Sequence, residues 1–402
     1  MEISTCSISG DDTSQALAEL ASVLTAQQRE AAFVFAFFGC DHDAAMIQTF
    51  LAKTFPQAAF LGGSSSGGVI DQSATLGPGS IGLMLIMDEN GDFGAASAPK
   101  TGDLADESES LLRRAISRAG CEGELPDLVW IYQAPGDEEA VIEGLKRVVG
   151  NRCPIVGGSA ADNDLSGRWS QIGPDGALSQ GLVVAALFPS GETGIVFQGG
   201  YEPMGKSGQV TATSRGPETP TQGAAGRVLH MIDGRPAAQV YNDWIGGGLE
   251  AEIKDGGSVL AKTTKYPLGL ETGVIDGVKQ YLLIHPEEIL ADGSLTTFAD
   301  IPSGSEVVCM VGDTARLVAR AGSVAEEAAT QRHPAGKPAG AMVVYCAGCR
   351  MAIGEQDRDL PAQISDGLGG APFLGCFTFG EQGPMDGRNM HGNLMISAVV
   401  FH

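Results

Sequence analysis

The sequence predicts an α/β fold in two domains built from repeated βαβ-β units, with a strand-rich insert in the second domain. Two observations carry that prediction. One pattern occurs three times: a short apolar run, a Gly or Pro break, a helical-length stretch, and a second apolar run that ends at small residues. It starts near Ala31, Pro126 and Gly340, and the spacings Phe33 to Gly62 and Leu128 to Gly157 are both 29 positions, against 33 for Met342 to Gly375. The chain between the second and third copies has a different texture, short apolar runs cut by Gly, Pro and Asp turns, as expected of an antiparallel insert.

Each element follows from local pattern. The opening runs FVFAFF, LVWIYQ and MVVYC are β-branched and aromatic and too short for helices, so they read as buried parallel strands. The middle stretches have helical spacing, with Ala45, Ile47, Phe50, Leu51 and Phe55 in copy one and Val141, Leu145, Val148 and Val149 in copy two. Asp41 or Asp43 and the acidic start Asp137-Glu138-Glu139 suit helix N-termini. The runs 80–87, 181–188 and 393–401 read as a further strand per copy, the second preceded by a hairpin signal at Ile172–Gly176. In the insert, a helix is expected from Arg235 to about Ile245 with Pro236 in its first turn, and another from about Thr314 to Gln331. The domain boundary falls near 189–194, giving domains 1–192 and 193–402.

Composition narrows the function. Among 402 residues, 49 acidic against 25 basic side chains leave a net charge of −24, which repels nucleic-acid backbones and anionic bilayers. No run approaches the roughly 18 apolar residues that a membrane helix requires. The N-terminal MEISTCSISGDDTSQ has no secretory-signal pattern, and eight irregularly spaced Cys fit reduced thiols, so a cytoplasmic protein is expected.

The Gly/Ser stretch LGGSSSGGVID raises a nucleotide site and then excludes it. It has no Lys for a P-loop, and it leads to Gly77-Pro78-Gly79 and another strand instead of opening a helix. The recurring tips are Gly62-Gly63-Ser64-Ser65, Gly157-Gly158-Ser159 and Gly375-Cys376-Phe377. Two readings stay open for them: tight backbone packing, or a pocket rim whose N–H groups hold a small polar ligand.

The strings IVGGSAADN, GRVLHMIDGRPAAQVYNDW, YPLGLE, YCAGCR and FLGCFTFGEQGP, in this order, resemble the FIST family over about residues 31–400. The resemblance implies a FIST N-terminal and a FIST C-terminal domain in a bacterial sensory protein, binding a small ligand such as an amino acid in a cleft between domains. It implies signalling to a separate partner, such as a histidine kinase, and not an enzyme. Some members resemble haem proteins that sense nitric oxide. Where the family has Cys-x-Gly-Arg, this chain has Cys346-Ala-Gly-Cys349-Arg350.

Individual side chains supply three chemistries. Arg350 and Glu381 could clamp the carboxylate and ammonium of an amino acid, with the Gly/Ser tips beside them. Cys346 and Cys349 form a C-x-x-C at a strand end before a helix, the setting of a redox pair, and Cys40 falls at the matching place in copy one. Haem would need an axial ligand, for which His230 is the candidate because its strand lies mid-domain, where a cavity is expected. His42, His285, His333, His391 and His402 read as surface or hydrogen-bonded groups. No nucleophile–base motif of a known hydrolase is present.

Overall fold

The computed structural model describes all residues except 215–226, 276 and 332–335; His333 thus lies outside the described residues. The elements run β1 (Glu2–Ser9), α1 (Thr13–Val23), β2 (Phe33–Gly39), α2 (Ala44–Thr54), β3 (Ala59–Ser65), β4 (Val69–Asp71), β5 (Ser80–Met87), β6 (Asp92–Pro99), α3 (Leu104–Arg118), β7 (Leu128–Gln133), α4 (Glu138–Val149), β8 (Ile155–Ser159), β9 (Gln171–Gly173), β10 (Gly176–Leu178), β11 (Gly181–Phe188) and β12 (Thr193–Gly199). The insert contains β13 (Glu202–Ser214), β14 (Val228–Ile232), β15 (Arg235–Pro236), α5 (Ala237–Ile245), α6 (Glu250–Asp255), β16 (Gly257–Ser258), α7 (Leu260–Thr263), β17 (Leu268–Ile275), β18 (Val278–Ile284), β19 (Pro286–Ile289), β20 (Leu295–Thr297) and β21 (Glu306–Val311). The chain closes with α8 (Thr314–Thr330), β22 (Gly340–Cys346), α9 (Ala347–Ile353), α10 (Leu360–Gly367), β23 (Phe373–Thr378), β24 (Glu381–Met385), β25 (Arg388–Gly392) and β26 (Met395–Phe401).

The fold is α/β, and the three copies are three modules of one topology. In each, two strands pair in parallel around a helical crossover: β2 with β3, β7 with β8, and β22 with β23. The last strand returns antiparallel to the first of that pair, as β5, β11 and β26. A further strand, β1, β6 or β12, forms the edge; β1 and β6 lead into helices α1 and α3, whereas the insert separates β12 from α8. This leading strand and helix lie outside the pattern that repeats in the sequence. Runs such as EISTCSIS and DFGAASAP carry small and polar residues, because an edge strand is covered less than a central one.

The modules interlock. After its crossover each chain segment sends a strand or hairpin to a neighbouring module: β4 pairs with β23, β9 with β3, and β24 with β8. The exchange is cyclic, first to third, third to second, second to first. The three sheets pack their inner faces into one core, with Phe33, Phe35 and Phe37 from the first module, Trp130, Tyr132 and Val183 from the second, and Met342, Val344 and Phe401 from the third. Phe35 and Trp130 meet edge-on at 4.8 Å, as do Phe37 and Tyr132 at 5.0 Å.

The helices cover the outer faces of the first two sheets around separate apolar layers. Asp43, Asp103 and Asp313 cap α2, α3 and α8 with their side chains. The insert is an antiparallel sheet with its own core around Tyr241, Ile284 and Val307. Among the described residues no helix is long and apolar enough to cross a membrane.

Candidate functional site

The Gly/Ser tips meet at the centre of the molecule, and there they close on one another. Ser64 N–H donates to the Ser170 carbonyl at 2.9 Å, Ser66 N–H to the Phe377 carbonyl at 3.1 Å, and Ser159 N–H to the Gly380 carbonyl at 2.8 Å. Phe377 N–H donates to Ser65 Oγ at 2.8 Å, and the Tyr132 hydroxyl donates to the Ser64 carbonyl at 2.6 Å. Ser64, Ser65 and Ser159 are fully buried. A Cβ on Gly62 would lie 1.6 Å from the Ala36 carbonyl oxygen, one on Gly157 1.9 Å from that of Ile131, one on Gly63 2.4 Å from that of Ser170, and one on Gly158 2.5 Å from Thr378. The tips therefore serve close backbone packing, and the expected rim of free N–H groups is not formed by Gly62, Gly63, Ser64, Ser65, Gly157, Gly158 or the Ser159 backbone. The Ser159 side chain alone points to a polar site.

Arg350 and Glu381 do not form a clamp. Arg350 donates to Asp357 and to the Ser66 carbonyl, each at 2.8 Å, and lies 4.3 Å over the Phe377 ring. Glu381 is fully buried and accepts from Thr378 Oγ1 at 2.7 Å and Met395 N–H at 3.1 Å; burial pushes its carboxyl well above the usual range. Cys346 and Cys349 are both buried and free, and burial followed by the neighbouring Cys349 raises the Cys346 thiol far above its ordinary value. The helix N-terminus expected to activate Cys346 does not overcome desolvation. Cys40 is half-buried and also raised, first by burial. His230 does not face an open cavity: Ser214 Oγ and Ser294 Oγ each hold one ring nitrogen at 2.7 Å, which leaves neither nitrogen free for iron.

The concentrated chemistry lies elsewhere, at the mouth of the second module. The C-terminal ends of β7 and β8, the N-terminus of α4, the β24–β25 hairpin and two insert residues converge there. Asp137 stands at the N-cap in a left-handed conformation, φ 62°. Glu138 accepts from Ser159 Oγ at 2.7 Å and Gly136 N–H at 2.9 Å. Arg227 bridges both acids, 2.9 Å from Glu138 and 2.7 Å from Glu139, and stands 3.4 Å from Asp300. Glu139 also accepts from His391 Nδ1 at 2.9 Å and from Asp300 N–H at 3.2 Å. Lys100, nearly buried, reaches the carbonyls of Ala134 and Gly136 and lies 3.9 Å from Asp137.

Charge decides the protonation of this cluster. Burial alone would raise Glu138, but the His391 and Arg227 charges outweigh it and hold the carboxyl down at about 2. The same forces hold Glu139 well below its usual range. Asp300 goes the other way, raised to about 7 by burial and by the Glu139 charge. His391 resists burial and is raised by Glu138 and Glu139, whereas burial lowers Lys100. Glu138, Glu139 and His391 bring ligand atoms within 4.8 Å of one another, a spacing a metal could use. Arg227 already binds both acids, so a divalent ion would have to displace a guanidinium.

Beside this ring, in register with Ser159 and His391, stand polar groups without partners among the described residues. Gln133 and Gln382 are fully buried, and neither amide nitrogen nor amide oxygen of either has a hydrogen bond among the described residues; His391 Nε2 is likewise unpaired. Native interiors rarely leave such groups unsatisfied. The sequence reading saw Glu138 and Glu139 as a helix start and His391 as a residue before the last strand. It did not connect them, because Arg227, Asp300 and His391 are 88, 161 and 252 positions from Glu139.

An interlocked three-module α/β protein with a buried polar site at one module mouth is the class the fold and geometry define. The chain belongs to the FIST family: the FIST N domain matches residues 32–235 and the FIST C domain residues 237–384. FIST domains are sensory domains associated with signal transduction. Two uncharacterized proteins of Mycobacterium tuberculosis, from strains CDC 1551 / Oshkosh and H37Rv, are 29% identical over 251 residues, 59% of this chain. The match spans 58% of the length of those relatives.

Among solved structures, a cyanuric acid hydrolase aligns over 100% of this chain and 99% of its own at 10% identity and TM-score 0.35. The A. caulinodans enzyme aligns over the same shares at 10% identity and TM-score 0.36. The expectation that the chain is not an enzyme is withdrawn: these two structures, aligned along its whole length, are of an enzyme. At these scores the likeness assigns no activity to this chain.

Proposed function

We propose that this FIST protein senses a small amino-acid-like ligand at the mouth of the second module, between its two domains, and signals to a separate partner such as a histidine kinase. The observation that carries this reading is the part-buried polar ring joining Glu138 and Glu139, from the N-terminal part, to Asp300 and His391, from the C-terminal part, through Arg227. A zwitterion would exchange with the present pairing, its ammonium taking a Glu138 or Glu139 carboxylate and its carboxylate the Arg227 guanidinium. Domains 1–192 and 193–402 are the division we adopt, since β12 opens the third module at Thr193. Ligand entry at their junction would favour one packing of insert against module, which a partner could read.

Thermal melts of the full chain with each of the twenty amino acids and with L-citrulline test this. At least one is expected to raise the melting temperature in a concentration-dependent way, as a ligand of the native state must. Arg227→Gln should abolish that rise. If neither the twenty nor L-citrulline shifts the melt, the reading fails.

A further inference from the structure

The three modules can be compared position by position through their strand registers. Ala36, Ile131 and Val343 stand opposite Gly62, Gly157 and Gly375. Two residues further, on the same face of each strand, come Phe38, Gln133 and Tyr345. The exchanged strands place Ile172, Gln382 and Ile70 against the same three glycines. The residue that follows each leading strand is Gly10, Lys100 and Gly200.

The second module thus carries polar side chains at three positions where both other copies carry aromatic, isoleucine or glycine residues. One scaffold tolerates apolar residues at these places, so nothing in the fold demands the amides. Their buried atoms stay unpaired, a state that costs stability unless a partner arrives. The two amides also adjoin the charged ring. Gln133 stands beside Ser159, which donates to Glu138; Gln382 stands beside His391, which donates to Glu139.

We propose that the second module alone is the ligand-binding copy, and that its ligand is an amino acid whose side chain ends in a carboxamide or ureido group, held by Gln133, Gln382 and His391 Nε2. This rests on the ligand reading above and specifies its chemistry. A primary amide presents donors and an acceptor at once, the complement of another primary amide. A side-chain carboxylate would approach Glu138 and Glu139 against repulsion. An apolar side chain would leave five buried polar atoms unpaired.

Calorimetric titration of the full chain with L-glutamine, L-asparagine and L-citrulline, against L-glutamate and L-methionine, tests the chemistry. The best amide-bearing ligand is expected to bind at least about tenfold tighter than glutamate or methionine, and Gln382→Ile, the residue of the other two copies, should erase that preference. Equal binding of methionine or glutamate, or a preference that survives Gln382→Ile, overturns this inference while leaving a ligand site standing. Absence of binding by these five and by the remaining amino acids overturns both. The ligand-free melt is a second, independent reading. Gln382→Ile should raise the melting temperature by about 2 °C, and a fall of that size would show that the amide has a structural partner and sink the proposal.

Discussion

Arg227 is the residue on which the charged ring depends. Its guanidinium is mostly buried, and two carboxylates at 2.7 and 2.9 Å share it. Removing one member of such a group leaves the other charges uncompensated in low dielectric, which costs more than the pair itself contributes. Arg227→Met is therefore expected to destabilise the chain by about 3 kcal/mol, read as a fall in urea midpoint at unchanged slope. A midpoint equal to wild type would show that water, not Arg227, compensates the acids. The pH dependence follows from the same groups. Asp300 is raised from 3.8 to about 7, so the native state binds its proton more tightly than the unfolded chain; that contribution is full below about pH 4 and is lost as pH rises through 7. His391, also raised, acts in the same direction: its contribution is full below about pH 6.5 and lost at higher pH. Glu138, lowered to about 2, contributes above about pH 4.5 and loses that as pH falls through 2. Urea midpoints should accordingly decline between pH 5 and pH 8, and Asp300→Asn should decline less steeply; equal slopes would remove Asp300 from the account.

At the scale of elements, the crossover strands and helices were legible because each carries its burial in its own composition. FVFAFFG is buried at every position, and the spacing of Ile47 and Leu51 matches the covered face of α2. The leading strands β1 and β6 were not legible, since an edge strand needs only one partner and one covered face, whereas the apolar run GIVF marks β12. The destination of each exchanged strand was also hidden: nothing in VID or EQGPM states which sheet it joins, which is settled by the registers Gly375 to Ile70 and Gly157 to Gln382. The recurring glycines were visible as candidates for close approach, and the approach is to backbone. A side chain at Gly62 or Gly157 collides with a carbonyl oxygen of the neighbouring parallel strand, and Gly157 has φ +148°. Gly62→Ala and Gly157→Ala should each cost more than about 3 kcal/mol, whereas Gly10→Ala, with no atom within 4 Å of the added carbon, should stay within about 0.5 kcal/mol of wild type. Chemical denaturation of the three variants separates these outcomes. A mild effect at Gly62 would mean that β2 and β3 can separate without loss of the module.

Interlocking makes the whole molecule the folding unit, although the family models divide it in two. Cutting after residue 192 removes β24 from β8 and deprives β4 of its partner β23. It also strips Met342, Val344, Leu374, Val399 and Phe401 from the core that Phe35, Trp130 and Tyr132 share. A fragment of residues 1–192 would then expose a sheet edge at β8 and an aromatic face that water must cover, a combination that favours aggregation over a native fold. Expressed alone, it should lack sharp near-ultraviolet dichroism and a cooperative melt. Co-expressed with residues 193–402, it should co-elute with that fragment as a single species, since each half supplies the strand and the core face that the other lacks. Near-ultraviolet dichroism of the lone fragment, set beside that of the co-purified pair, decides between these outcomes. A lone fragment melting as cooperatively as the intact chain would mean that the exchanged strands decorate two self-sufficient domains.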